Sequence, residues 1–261
     1  MHQYVNLANL AALARTNGSP RVITLIGGGG KTSLMQFWAR CLHARGIAVV
    51  TTTTTKLCNK PQTGFTFVQP ISLSEAKNTL DNLRSSDQIL TLTGELLPAE
   101  GKLTGIPVDW VDQLSSYSPD TIFLVEGDGS AGRSLKAHLS HEPVIPACTS
   151  LLIPIVGLDV LGQPLSEENV HRAEVFARIT GNCPGAPIDP AAVLKVLLHK
   201  EGYLRQCPDT AAVLPFFNKA ETLHACRAGF RLAQKILAAG QPQINSVLVG
   251  SVQQNCFARL S

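Results

Sequence analysis

From residue 21 onward, short unbroken apolar runs alternate with stretches in which apolar residues return every three to four positions. Strands buried on both faces read as continuous apolar runs, and the helices that cross over them bury one stripe. The pattern therefore predicts a mostly parallel sheet wrapped by helices. RVITLI is the first strand, and KTSLMQFWARCLHAR sets Leu34, Met35, Trp38, Cys41 and Leu42 on one helical stripe that Gly46 closes. IAVVT is the second strand. Residues 51–70 are polar and threonine-rich, with Pro61 and Gly64, and read as loop with at most one edge strand.

A helix is expected over 74–84 with Ser74 as its cap, followed by a strand at QILTLT. TGELLPAEGKLTGIP carries too many glycines and prolines for regular structure, and Pro107 opens a helix that runs to about residue 116. TIFLVEGDGS and SLLIPIVG read as strands, SEENVHRAEVFARI as a helix capped by Ser166, and DPAAVLKVLLHK as a helix with Asp189 as cap and Pro190 in its first turn. AAVLPFFNKAETLHACRAGFRLAQKILAAG and INSVLVGS repeat strand, helix, strand. Residues 6–15 predict a short amphipathic helix outside the core. No linker or internal repeat interrupts the series, so residues 1–261 are expected to form one α/β domain.

Composition narrows the function classes. With 44% hydrophobic and 16% charged residues, the chain can bury a large core, which excludes disorder. The net charge is +3 and the basic residues are scattered, so neither nucleic acid nor an anionic membrane is an expected partner. A localised anion site stays compatible with that balance. The seven cysteines form no CxxC pair and no zinc-type spacing with histidine, which fits a reducing, cytoplasmic location. The first twenty residues lack a basic n-region and a long apolar run, so no signal peptide is read, and no later segment suits a bilayer.

The stretch LIGGGGKTS carries the chemistry. Glycines between a buried strand and a helix let successive backbone N–H groups turn toward one point, where the helix N-terminus adds partial positive charge. Gly27, Gly28, Gly29, Gly30, Lys31, Thr32 and Ser33 make a candidate phosphate loop, with Lys31 neutralising the outer phosphates and Thr32 as a Mg²⁺ ligand. The loop is a variant. Aligned on Gly30, the pattern G-x-x-x-x-G-K-[ST] finds Leu25 where its first glycine belongs, and an ordinary strand-to-helix turn is the competing reading.

Three further segments bear on that site. In FLVEGDGS, Glu126 and Asp128 stand two apart and would share one face of a strand, available to a metal ion, or would be solvated acids at an Asp-Gly turn. TTTTTK places Thr53, Thr54 and Lys56 at the carboxyl edge of the sheet, where hydroxyls bind phosphate or serve simply as strand residues. FFNKAE approaches the guanine-reading N-K-x-D pattern through Asn218, Lys219 and Glu221, and Asn218 with Glu221 is equally a helix capping box. Lys136, His138, His141, Glu142, His171 and Arg172 read as isolated polar residues on solvated faces.

Taken together, VITLIGGGGKTSLM, VVTTTTTK, LVEGDGSAGRSLKAH, HEPVIP, VGLDVLG, VHRAEVF and NKAE resemble the YqeC-like family over about residues 22–250. That family consists of P-loop proteins described as selenium cofactor biosynthesis proteins, or accessory proteins of selenium-dependent molybdenum hydroxylases. The resemblance implies a P-loop NTPase-like fold, Mg²⁺ and a nucleoside triphosphate (GTP or ATP) as cofactors, and a molybdenum hydroxylase or cofactor-maturation protein as partner. It implies residues 27–32 as the phosphate loop, 53–56 as a neighbouring phosphate or metal segment, Glu126 with Asp128 as the acidic metal pair, and Asn218 with Lys219 on the base side. Slow hydrolysis, phosphoryl transfer to an acceptor, and a non-catalytic chaperone role all remain open.

Overall fold

Among the described residues, eleven strands share one sheet: β1 (His2–Tyr4), β2 (Arg21–Gly27), β3 (Val49–Thr53), β4 (Phe65–Val68), β5 (Ile89–Leu92), β6 (Ile122–Glu126), β7 (Thr149–Gly157), β8 (Ala212–Val213), β9 (Phe216–Asn218), β10 (Val247–Ser251) and β11 (Cys256–Leu260). The computed structural model describes residues 2–4, 21–60, 62–82 and 88–261, so the helix expected over 6–15 lies outside the described residues. The strands run in the order β1-β11-β10-β9-β7-β2-β6-β3-β5-β4, with β8 beside β7. Every pairing from β10 to β4 is parallel, as is that of β7 with β8. β11 returns antiparallel on β10 and carries β1.

Helices cover both faces, as buried parallel strands require. They are α1 (Lys31–His43), α2 (Leu73–Asp81), α3 (Val108–Tyr117), α4 (Ala173–Thr180), α5 (Pro190–Leu198) and α6 (Leu223–Ala238). Alternation along β6 assigns its side chains: Leu124 packs with Leu34, Trp38 and Leu42 of α1, whereas Phe123 and Val125 pack with Leu80 of α2 and Leu114 of α3. A third cluster joins Ile26, Val156, Phe217 and Val249 of the sheet to Phe176, Val193 and Leu232 of α4, α5 and α6. Each fully buried side chain of this size contributes about 1.5–3 kcal/mol, so all three clusters support the strand order. No helix among the described residues is long and apolar enough to cross a membrane.

The local expectations hold for most elements and fail at informative places. On α1 the buried stripe takes Ala39, while Cys41 is only half-buried. The cap of α2 is Ser72, not Ser74: its hydroxyl accepts from Glu75 N at 3.2 Å and Glu75 Oε2 accepts from Ile71 N at 2.9 Å. Only Ser72 stands three residues before a glutamate, which is what this reciprocal arrangement needs. The glycine- and proline-rich stretch after β5 is not wholly irregular, since Leu96–Leu97 and Lys102–Leu103 pair antiparallel and Leu57–Cys58 adds a third strand. β3 extends to Thr53, beyond the expected start of the loop.

Two helix starts also differ. Residues 166–172 do not enter α4; Val170–His171 instead pairs in parallel with Leu135–Lys136, and Glu167 Oε1, not Ser166, accepts the first helical amide from Ala173 at 2.7 Å. Asn218 and Glu221 form no capping box, because α6 begins later and Thr222 caps it through Ala225 N at 3.1 Å. β11 escapes periodicity, being a five-residue strand without regular alternation that starts with an exposed cysteine.

Candidate functional site

β2 lies between β6 and β7, and its chain continues through α1 to β3 on the β6 side. The glycine loop, residues 27–30, thus sits at the carboxyl ends of the parallel strands near a reversal of strand order, where open α/β sheets receive ligands. The four glycines answer to crowding. A Cβ at Gly28 would fall 2.6 Å from Arg133 O, and one at Gly29 would fall 2.3 Å from Gly157 N. Gly30 precedes α1 at φ 119°, which residues with a Cβ rarely adopt.

The loop amides do not all converge on one point. Gly27 N donates to both oxygens of Asp128 (3.0 and 2.9 Å), Gly28 N to Ile155 O (3.0 Å) and Gly29 N to Arg133 O (2.9 Å). These three are spent inside the protein. The amides of Gly30, Lys31, Thr32 and Ser33 have no acceptor among the described residues, and they open α1 where no preceding turn can supply a carbonyl. Anion-binding capacity therefore rests on the helix start.

Beneath the loop runs a chain of alternating charges. Lys31, 3% exposed, donates from Nζ to Gly27 O at 2.5 Å and stands 3.2 Å from Asp128 Oδ1 and 3.8 Å from Glu126 Oε1. Asp128 also meets His138 Nε2 at 2.6 Å and Lys136 Nζ at 3.5 Å. Lys136 continues to Glu142 Oε1 at 3.4 Å and donates to Gly129 O at 2.7 Å, and Glu142 lies 3.7 Å from Arg172 Nη2. Burial alone would raise the Asp128 carboxyl, but Lys31, the His138 hydrogen bond and Lys136 hold it well below the ordinary aspartate range. Glu142 likewise resists the upward push of burial and is lowered by Lys136, the Leu139 amide and Arg172.

Lys136 and His138 are thus buried members of one network and not solvated residues. Their spacing of two in an extended segment was the available signal, since it turns both side chains toward one side. The Tyr203 hydroxyl accepts from Lys136 N at 3.3 Å, and the Tyr203 ring meets the His138 ring edge-on at 4.9 Å.

β6 stops at Glu126, and Glu126 and Asp128 both turn a carboxylate oxygen toward Lys31 Nζ, at 3.8 and 3.2 Å. Glu126 lines the open cleft and accepts from Thr32 Oγ1 at 2.8 Å, whereas Asp128 is wholly buried behind the loop. Burial raises the Glu126 carboxyl and the Asp128 charge adds to this, against the opposing pull of Lys31 and Thr32. The Thr32–Glu126 pair offers two hard oxygens on the cleft. Among the described residues no three His, Cys, Asp or Glu side chains gather as a metal site, and a Mg²⁺ carried by a polyphosphate needs only one or two protein oxygens.

The threonine segment is mostly structural. Thr51 bonds Thr91 Oγ1 (2.7 Å), Thr52 bonds Leu92 O (2.8 Å), Thr53 bonds Glu126 O (3.0 Å) and Thr54 bonds Val144 O (2.7 Å), which leaves Thr55 and Lys56 on the cleft. Asn218 uses both ends of its carboxamide, donating to Gly29 O at 2.7 Å and accepting from Val252 N at 3.1 Å. Glu221 accepts from Ser251 Oγ at 2.5 Å, and Lys219 Nζ donates to Ser134 Oγ and Asp159 Oδ2, both at 2.7 Å. Of the NKAE group only Lys219 lines the cleft.

The cleft has a volume of about 890 Å³. Six cations (Lys31, Lys56, Lys102, Arg133, Arg172 and Lys219) line it against two carboxylates, Glu126 and Glu142, so it favours an anionic occupant. Backbone strain collects there too. Of the four non-glycine residues with positive φ among those described, Ala131 (48°), Arg172 (68°) and Lys219 (64°) line the cleft.

The model of a family described as YqeC protein matches residues 23–174, from β2 into α4. The uncharacterized protein YqeC of Escherichia coli (strain K12) is 29% identical over 236 residues, covering 90% of this chain and 89% of its own length.

Proposed function

The chain belongs to the YqeC family, and from that premise we propose that it binds a Mg²⁺–nucleoside triphosphate, GTP or ATP, at the start of α1. One observation carries the reading: four amides without acceptors among the described residues and the Thr32–Glu126 pair open together onto a cation-lined cleft at the carboxyl edge of the sheet. In this reading the fold is P-loop NTPase-like, with a loop whose first three amides brace it against the protein.

The residues divide the work. Gly30, Lys31, Thr32 and Ser33 present backbone N–H groups to the terminal phosphates, and Lys31 exchanges Gly27 O and Asp128 for a phosphate oxygen when the triphosphate arrives. Thr32 and Glu126 would hold Mg²⁺, which supplies charge neutralisation between the phosphates. Asp128 keeps the loop in place through the Gly27 amide. Asn218 acts from below the loop through Gly29 O, so base recognition does not fall to it. Hydrolysis or phosphoryl transfer in an accessory role, the maturation of a selenium-dependent molybdenum hydroxylase or its cofactor, is the function that joins this site to the family resemblance.

Calorimetric titration with GTP, ATP and CTP in the presence of Mg²⁺, on the wild-type protein, Lys31→Ala and Thr32→Ala, tests the reading. Binding of one or more triphosphates that both variants weaken supports it. Absence of binding to the wild-type protein overturns it.

A further inference from the structure

The cleft has a second cationic wall, far in sequence from the glycine loop. Its centre is Arg172, held at φ 68°, a conformation that residues with a Cβ rarely adopt. The helix that follows is not the attraction, because its first amide already donates to Glu167. The side chain is. Arg172 Nε is buried and has no hydrogen-bond partner among the described residues, and Nη2 meets Glu142 only at 3.7 Å, beyond hydrogen-bond length. Glu142 is shared with the fully buried Lys136, so it leaves the guanidinium under-compensated. A strained, part-buried arginine on which no carboxylate closes has hydrogen bonds to give.

Its neighbours fit the same purpose. His171 is half-buried, and burial together with Lys136 and Arg172 lowers its pKa, which keeps the imidazole neutral near pH 7 and able to donate or accept without adding charge. Arg133 is fixed on the same wall through Ala131 O (2.6 Å) and Glu167 O (2.9 Å). Lys219 is less available, since its ammonium already serves Ser134 and Asp159.

We propose that Arg172, with His171 beside it, binds the oxyanion group of a second substrate, a phosphate or a carboxylate, in the cleft it shares with the glycine loop. Hydrolysis needs no second anion site, whereas transfer to an anionic acceptor does, so this subsite favours phosphoryl transfer, in which an acceptor oxygen bonds the γ-phosphorus as its bond to the β,γ-bridging oxygen breaks and the nucleoside diphosphate leaves with that electron pair. Its role as an acceptor subsite rests on the triphosphate reading; anion binding at Arg172 does not.

The test is calorimetric titration of the full chain, preloaded with Mg²⁺ and a non-hydrolysable triphosphate analogue, with inorganic phosphate and separately with acetate. At least one anion is expected to bind, and to bind about tenfold or more weakly in Arg172→Gln, with Arg227→Gln on α6 unchanged. Should Arg172→Gln not fold, Arg172→Lys, which keeps the charge and loses the planar fork, reads the same quantity and is expected to weaken binding. Failure of both anions to bind the wild-type protein, or affinities indifferent to Arg172, overturns the proposal. An analogue that does not bind the wild-type protein overturns the triphosphate reading alone, and the same titrations on the unloaded protein then decide Arg172.

Discussion

Asp128 accepts the Gly27 amide through both carboxylate oxygens while Lys31 Nζ stands 3.2 Å from Oδ1, so one buried carboxylate ties the beginning of the glycine loop to the beginning of α1. The loop is therefore shaped by an acid 101 residues away and not by its glycines alone. Removing one member of a buried pair leaves the other uncompensated, which is far more costly than the pair's net contribution.

Asp128→Asn is accordingly expected to destabilise the protein by about 3–5 kcal/mol at pH 7, measured by urea unfolding. Its pH dependence has a definite sign. The folded-state pKa lies below the ordinary aspartate value of 3.8, so the stabilisation is fully present above that value and is lost as pH falls from it through the folded-state value. The gap between wild type and variant should therefore narrow only in acid; a gap that stays constant down to pH 2 would contradict the assignment.

Glu126→Gln should behave in the opposite way. The folded-state pKa lies above the ordinary 4.5, so protonation favours the fold, and that contribution is lost as pH rises through the folded value. The amide removes the buried charge at neutral pH. Thermal unfolding should show the variant at least as stable as wild type at pH 7, with no such advantage below pH 4.5, while Mg²⁺-dependent triphosphate binding falls by about 10–100-fold. A less stable variant with unchanged Mg²⁺ dependence would remove Glu126 from the proposed site.

Asn218→Ala deletes the braces on Gly29 O and Val252 N and should cost about 1–3 kcal/mol. Because Asn218 acts through the loop, affinities for GTP and ATP should drop by the same factor. A selective loss of GTP would restore a direct role in reading the base. Thr222→Ala, at the actual cap of α6, is the control: about 1 kcal/mol of stability lost and no change in ligand affinity.

Gly28→Ala tests crowding without a change of backbone region, since Gly28 is not among the positive-φ residues. Its Cβ would meet Arg133 O at 2.6 Å and Leu135 N at 2.8 Å, all backbone, so the loop must shift. We expect a loss of about 1–3 kcal/mol in urea unfolding. Wild-type stability would show that the glycine run is not required by close packing.

The alternation of apolar runs with helical stripes was enough to predict a parallel α/β sheet, the strand before the glycines, the helix after them and Asp189 as a cap, because these depend on neighbours within a few residues. The same local signals misplaced Ser74 and Ser166: Ser72 caps α2 instead, and α4 starts only at Ala173, whose amide donates to Glu167. Lys31, Thr32 and Glu126 were grouped from their residue types, and the fold brings the three side chains together. Asn218 and Glu221 were ambiguous, and the folded chain uses both inside the protein.

The amino-acid order alone determined most of the strands and helices of the sheet and the place of the glycine loop between β2 and α1, since backbone periodicity and turn residues act locally. Tertiary structure alone decided that Gly27, Gly28 and Gly29 point their amides inward, that Lys136 and His138 are buried beside Asp128, and that Arg172 reaches the same cleft as Lys31. Those outcomes follow from β2 lying between β6 and β7, and an ion pair between segments a hundred residues apart leaves no periodic trace in either one.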